Sequence, residues 1–170
     1  QSANFDWVQN GTRAMADLWM YNFARNIPDI LNGNSIRSLN VFRNDSKSRK
    51  NHKPDQPAIV IGAGPNVYEK KHLEVLANSN YQGVIACTDR MLVPCLQSGI
   101  TPKKFPQFFV LSMDPYEVTI KYYQDKIIKK YSKKISIVMS TCTIHETVEI
   151  CKNYGFNIFW YHPLIDDFRK

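Results

Sequence analysis

Five short runs rich in β-branched and aromatic residues, at 57–61, 83–87, 107–111, 135–139 and 157–161, are each separated from the next by a stretch of helical length. Strands buried on both faces have this composition, and connections of that length let successive strands run parallel. The alternation predicts an α/β fold: a mainly parallel sheet of about five strands with helices on both faces, a Rossmann-like three-layer sandwich. With 44% hydrophobic and 12% aromatic residues, the 170-residue chain can bury one sizeable core.

Start and stop signals support the pattern. Asn66 with Glu69, and Thr143 with Glu146, fit the capping box, and Asp114 before Pro115 sets a carboxylate ahead of a residue suited to a first helical turn. Gly99 and Gly155 stand where helices should stop. Upstream, apolar residues recur at helical spacing over 4–26 and predict a leading helix closed by Pro28, while 32–56 read as a polar connector. The chain thus divides into a helix and basic connector, 1–56, and an α/β domain, 57–170.

The net charge of +7 comes from two clusters, Arg43 to Lys53 and Lys121 to Lys134; the remainder is nearly neutral. Clusters on a polar loop and on the outer face of a helix read as solvated surface rather than a nucleic-acid footprint, so nucleic acid is not the expected partner. No run approaches the length of a membrane span and no secretory signal is visible, so a soluble cytoplasmic protein is expected. The cysteines Cys87, Cys95, Cys142 and Cys151 include no pair at two-residue spacing, which points to buried reduced thiols.

In open parallel sheets ligands bind beyond the carboxyl ends of the strands, so chemistry is sought there. The first run is followed by Gly62-Ala63-Gly64-Pro65-Asn66, where two glycines permit close approach of a phosphate to a helix amino end. Val67 stands where the dinucleotide fingerprint has its third glycine, and a structural turn explains two glycines equally well. Thr88, Asp89 and Arg90 follow the second run and Asp114 the third. Two carboxylates in one crevice suit Mg²⁺ bound with substrate phosphates, and helix capping is the competing role. Ser140 and Thr141 after the fourth run offer hydroxyl donors, and His162 after the fifth is the histidine expected to face the crevice as a general base.

These segments resemble the MptE-like family, which contains archaeal 6-hydroxymethylpterin diphosphokinase and motility-associated flagellin glycosyltransferases. The resemblance is carried by Pro57-Ala-Ile-Val-Ile-Gly-Ala-Gly-Pro65, Ile85-Ala-Cys-Thr-Asp-Arg-Met-Leu92, Gly99-Ile-Thr-Pro102, Leu111-Ser-Met-Asp-Pro115, Asn26-Ile-Pro28 and Phe159-Trp-Tyr-His-Pro163. It implies a nucleotide-binding transferase taking ATP or a nucleotide sugar, with Gly62 to Asn66, Thr88, Arg90, Ser140 and Thr141 around the nucleotide, Asp89 and Asp114 on Mg²⁺, and His162 as base. Asn66 replaces the family's usual serine and Lys103 its usual aspartate; Asp89-Arg90 and Met113-Asp114-Pro115 look more like the glycosyltransferase branch. That branch continues past the fifth strand into a Gly-Gly-Asn segment and further strands, so the 57–170 domain is expected to be truncated at its carboxyl end, a fragment with an incomplete site. The alternative expectation is a noncatalytic binding module of the same fold.

Overall fold

The computed structural model describes the backbone of residues 2–39 and 57–163, with side chains from Met15 onward. The cluster from Arg43 to Lys53 lies outside the described residues. Helix α1 (Ser2–Asn32) leads into a two-residue strand, β1 (Asn34–Ser35). The five expected strands follow as β2 (Ile59–Ile61), β3 (Ile85–Thr88), β4 (Phe108–Ser112), β5 (Ser136–Ser140) and β6 (Asn157–Tyr161). All pairings are parallel and the order across the sheet is β1-β6-β5-β4-β3-β2. The architecture is the α/β, Rossmann-like one, with a sixth strand that the polar segment after α1 had concealed.

Helices α2 (Pro65–Glu69) and α3 (His72–Ala77) join β2 to β3, α4 (Asp89–Gln97) joins β3 to β4, α5 (Lys126–Tyr131) joins β4 to β5, and α6 (His145–Tyr154) joins β5 to β6. The core forms where Leu73, Met91, Leu92, Ile128 and Val148 of these helices meet Ile85, Cys87, Val110, Ile137 and Met139 of the strands, all at most 6% exposed. The strand residues alternate, as one buried sheet face requires. All four cysteines are buried and unpaired, and burial pushes the Cys87 and Cys151 thiols well up. Among the described residues no helix is long and apolar enough to cross a membrane.

Several predicted boundaries move. α1 runs through Pro28 instead of ending there. Proline removes only its own amide bond, and Asn32 Nδ2 donates to the Pro28 carbonyl at 2.8 Å to hold the last turn. Neither capping box forms: Gly64 and Ile144 precede α2 and α6, and neither gives a side-chain cap. The Thr143 hydroxyl instead donates to the Ser112 carbonyl, 3.3 Å, inside the protein. Asp114 accepts from Tyr116 N–H at 2.9 Å in a local turn, and the helix that follows, of 3-10 type, begins only at Glu117. Gly99 and Gly155 do end helices, with φ of 93° and 76°.

Besides Ile30, which packs against the core, and Phe23, which stands against His162, polar bonds tie α1 to the strand ends. Asn22 and Asn26, one turn apart, are 1% and 0% exposed. Asn22 Nδ2 donates to the carbonyls of Pro115 and Cys142, at 3.1 and 3.2 Å, and Asn26 Nδ2 to those of Thr141 and Thr143, at 3.1 and 2.7 Å. Around them Arg25 pairs with Glu146 at 2.7 Å, and Lys152 bridges Asp29 and Glu149 at 2.6 and 2.7 Å. Asn26→Leu would keep the volume but orphan two buried carbonyls, a cost of about 2–4 kcal/mol, so Tm should fall by roughly 5–12 °C in thermal denaturation. A fall of under about 2 °C would show that these bonds do not hold α1.

Candidate functional site

Because each strand from β2 to β6 lies beside the next, their carboxyl ends stand in a row. Gly62 to Asn66 opens the row, followed by Thr88, Asp89 and Arg90, then Ser112 to Asp114, then Ser140 and Thr141, and His162 closes it. At about 4.8 Å per strand, His162 lies about 19 Å from the glycine loop. The strands do not reverse order between these ends, so the row is not folded into the single crevice the sequence suggested. His162 instead pairs with Thr141, Nδ1 to Oγ1 at 2.8 Å, and stands against the Phe23 ring. Ser140 and Thr141 are buried, 1% and 4% exposed, and the Ser140 hydroxyl accepts from Cys142 N–H at 3.1 Å.

The glycine loop has an unexpected character. Gly62 and Gly64 both lack positive φ, and a Cβ built on either meets nothing within 4 Å. Neither turn geometry nor packing requires glycine there; an added side chain would only fill open space beside the backbone. The helix behind the loop starts at Pro65, not Asn66, and has five residues, so its dipole is small. Pro65 has no amide hydrogen and Val67 N–H bonds the Gly64 carbonyl at 3.2 Å, whereas the amides of Gly64 and Asn66 have no backbone partner among the described residues. An apolar groove of about 500 Å³, lined by Ile61, Gly62, Val67, Leu73 and Tyr81 among others, opens beside this loop.

On the neighbouring strand ends a carboxylate is held in an enclosed setting. Asp89 is the first residue of α4 and 9% exposed; it accepts from Arg90 N–H at 2.7 Å and from the Ser112 hydroxyl at 3.3 Å. Burial pushes its carboxyl above the usual range against those two donors, and the Asp114 charge adds to the rise. The Thr88 hydroxyl beside it is buried without a hydrogen-bond partner among the described residues. Arg90 is exposed at the head of α4.

A chain of hydrogen bonds reaches this carboxylate from α1. Asn26 donates to the Thr143 carbonyl, the Thr143 hydroxyl to the Ser112 carbonyl, and the Ser112 hydroxyl to Asp89. Sequence reading named Asn26 only within the Asn26-Ile-Pro28 segment, without a structural role, and did not name Asn22; two asparagines four apart within an apolar helical repeat were the signal available.

Two outcomes test this geometry. Gly64→Ala should leave the fold intact and raise stability by about 0.4–1 kcal/mol, since φ of −73° suits alanine; a marked loss on thermal denaturation would mean the glycine is structural. An acid whose folded pKa is raised binds more protons folded than unfolded, so it lowers stability above its folded pKa and ceases to do so as pH falls below the ordinary carboxylate range. Asp89→Asn should therefore raise Tm at pH 7 by about 1–3 °C, and the gain should vanish at about pH 3. A gain that does not change with pH would assign the effect to something other than this charge.

No curated protein and no solved structure matches the chain. The family model described as 6-hydroxymethylpterin diphosphokinase MptE-like matches residues 21–168, most of its length. The matched span begins within α1, just before Asn22 and Asn26, and takes in the glycine loop, both aspartates and the His162 end. This chain belongs to the MptE-like family.

Proposed function

We propose that the chain is a transferase that binds a nucleotide along the carboxyl ends of β2, β3 and β4, with diphosphoryl transfer from ATP to an alcohol as the favoured reaction. The observation that carries this reading is the enclosed Asp89 carboxylate, pushed up by burial and by the Asp114 charge, next to a loop whose glycines keep space open. A cation offsets two such charges. The donors are oxygens only, carboxylates with the orphaned Thr88 hydroxyl close by, and such a set fits Mg²⁺ better than a softer metal.

In this reading Asp89 and Asp114 hold Mg²⁺, which supplies charge neutralisation for the nucleotide's phosphates. The amides of Gly64 and Asn66 donate to phosphate oxygens, Arg90 reaches them from the head of α4, and the groove beside Gly62 takes the base. Ser112 orients Asp89. Phosphoryl transfer through a loose transition state relies on positioning and charge more than on a strong base, which suits a site about 19 Å from His162. Nucleotide-sugar transfer is the second reading, favoured by the Asp89-Arg90 and Met113-Asp114-Pro115 segments.

Thermal shift with ATP and with cytidine and uridine nucleotides, each with and without Mg²⁺, separates these. Diphosphoryl transfer expects stabilisation by ATP with Mg²⁺, lost in Asp89→Asn and weakened about tenfold in Gly64→Leu, whose added side chain would fill the cradle. A preference for the pyrimidine nucleotides would favour sugar transfer. Nucleotide binding without turnover of any acceptor would favour the binding module, and no metal-dependent shift with any nucleotide would remove the reading.

A further inference from the structure

Away from the glycine loop and its aspartates, α1 and α6 bring three metal-ligating side chains together. Asp29 of α1, with His145 and Glu149 one turn apart on α6, each offer a ligand atom, and the three atoms lie within 4.8 Å of one another. The Asp29 and His145 side chains are 21% and 22% exposed, so two of the three ligands are already largely withdrawn from water.

The imidazole is oriented from inside the protein. Asn26 Nδ2 is committed to two carbonyls, so Asn26 Oδ1 accepts and His145 Nδ1 donates to it at 2.9 Å. The neutral ring then carries its lone pair on Nε2, which stands 3.9 Å from Glu149 Oε1. Metal-binding histidines have this arrangement, because a fixed donor bond at one nitrogen sets the tautomer and aims the other. A cation also sits between the carboxylates: Lys152 Nζ is 2.6 Å from Asp29 Oδ1 and 2.7 Å from Glu149 Oε1. Lys152 is 42% exposed on a flexible stem, so it can swing into solvent when a stronger cation arrives.

We infer that Asp29, His145 and Glu149 form a site for Zn²⁺ or a similar divalent transition metal, which displaces Lys152 and fastens α1 to α6. An imidazole with two carboxylates suits such a metal, whereas Mg²⁺ and Ca²⁺ take oxygen ligands. Metal–ligand bonds of about 2.0–2.2 Å put the ligand atoms of a tetrahedral site about 3.4 Å apart, so no pair has to close by more than about 1.4 Å. Water completes the sphere. The site shares no residue with Asp89 and Asp114, so it stands independently of the transferase reading.

Isothermal titration and thermal denaturation with Zn²⁺, and with Mg²⁺ and Ca²⁺ as separate arms, test this on the wild-type chain and on Lys152→Met, Lys152→Gln, His145→Asn and Asp89→Asn. Zn²⁺ should bind the wild type at micromolar to millimolar concentration and raise its Tm, and Mg²⁺ and Ca²⁺ at the same concentrations should not compete. Both Lys152 variants should bind Zn²⁺ about tenfold or more tighter, and their Tm should fall without Zn²⁺, where two carboxylates face each other, and recover with it. His145→Asn, whose amide can still donate to Asn26, should weaken Zn²⁺ binding about tenfold or more. Asp89→Asn should leave the Zn²⁺ affinity unchanged, which separates this site from the proposed Mg²⁺ site. Zn²⁺ binding indifferent to His145→Asn overturns the assignment. Binding confined to the Lys152 variants also overturns it, because the lysine would then be the site's own cation.

Discussion

Each strand from β2 to β6 hydrogen-bonds to the strand that follows it in sequence, and that simple ordering governs the rest of the molecule. It stacks the alternate residues of one sheet face under the crossover helices, and it lines up the strand ends in chain order along a single edge. Proximity along this edge is then a matter of strand number. Neighbouring ends can interact, as where the Asp114 charge adds to the rise of the Asp89 carboxyl, whereas Gly62 and His162 are held apart by the whole width of the ladder.

The second constraint is polar. Asn22 and Asn26 take up four carbonyls in the loops after β4 and β5, carbonyls that burial would otherwise leave without partners. An apolar helix face could cover those loops but could not satisfy them. The same bonds continue through Thr143 and Ser112 to Asp89, so the helix that shields the loops also fixes the setting of the most enclosed carboxylate in the candidate site. Stability and chemistry share one set of hydrogen bonds here, and a change in α1 reaches the strand ends through them.

Much of this was legible before any fold was at hand. The five apolar runs located β2 to β6 to within two residues at either end, because alternate residues of each run pack into the core under the crossover helices and must be apolar. The opposite face is less covered, with Val60 69% exposed. Gly99 and Gly155 marked helix ends because their positive φ suits glycine and few other residues. Capping was read less well: a threonine three residues before a glutamate satisfies the capping pattern, yet the Thr143 hydroxyl had a buried carbonyl to bond, a partner that exists only once β4 and β5 are side by side. The two-residue β1 left no signal because Asn34 and Ser35 are exposed and owe their conformation to pairing with Phe159 and Trp160.

By itself the sequence determined the alternation of strand and helix, the parallel sense of the sheet and which residues stand at strand ends, since all of these follow from local periodicity and chain connectivity. It also carried the family, through motifs that cover most of its length. The order of the strands was decided only in the tertiary structure, and with it which strand-end residues are neighbours. Burial made Asp89 an enclosed carboxylate and took Ser140 and Thr141 out of reach of solvent. Both outcomes depend on desolvation and on contacts between residues far apart in the chain, and no window of sequence contains either.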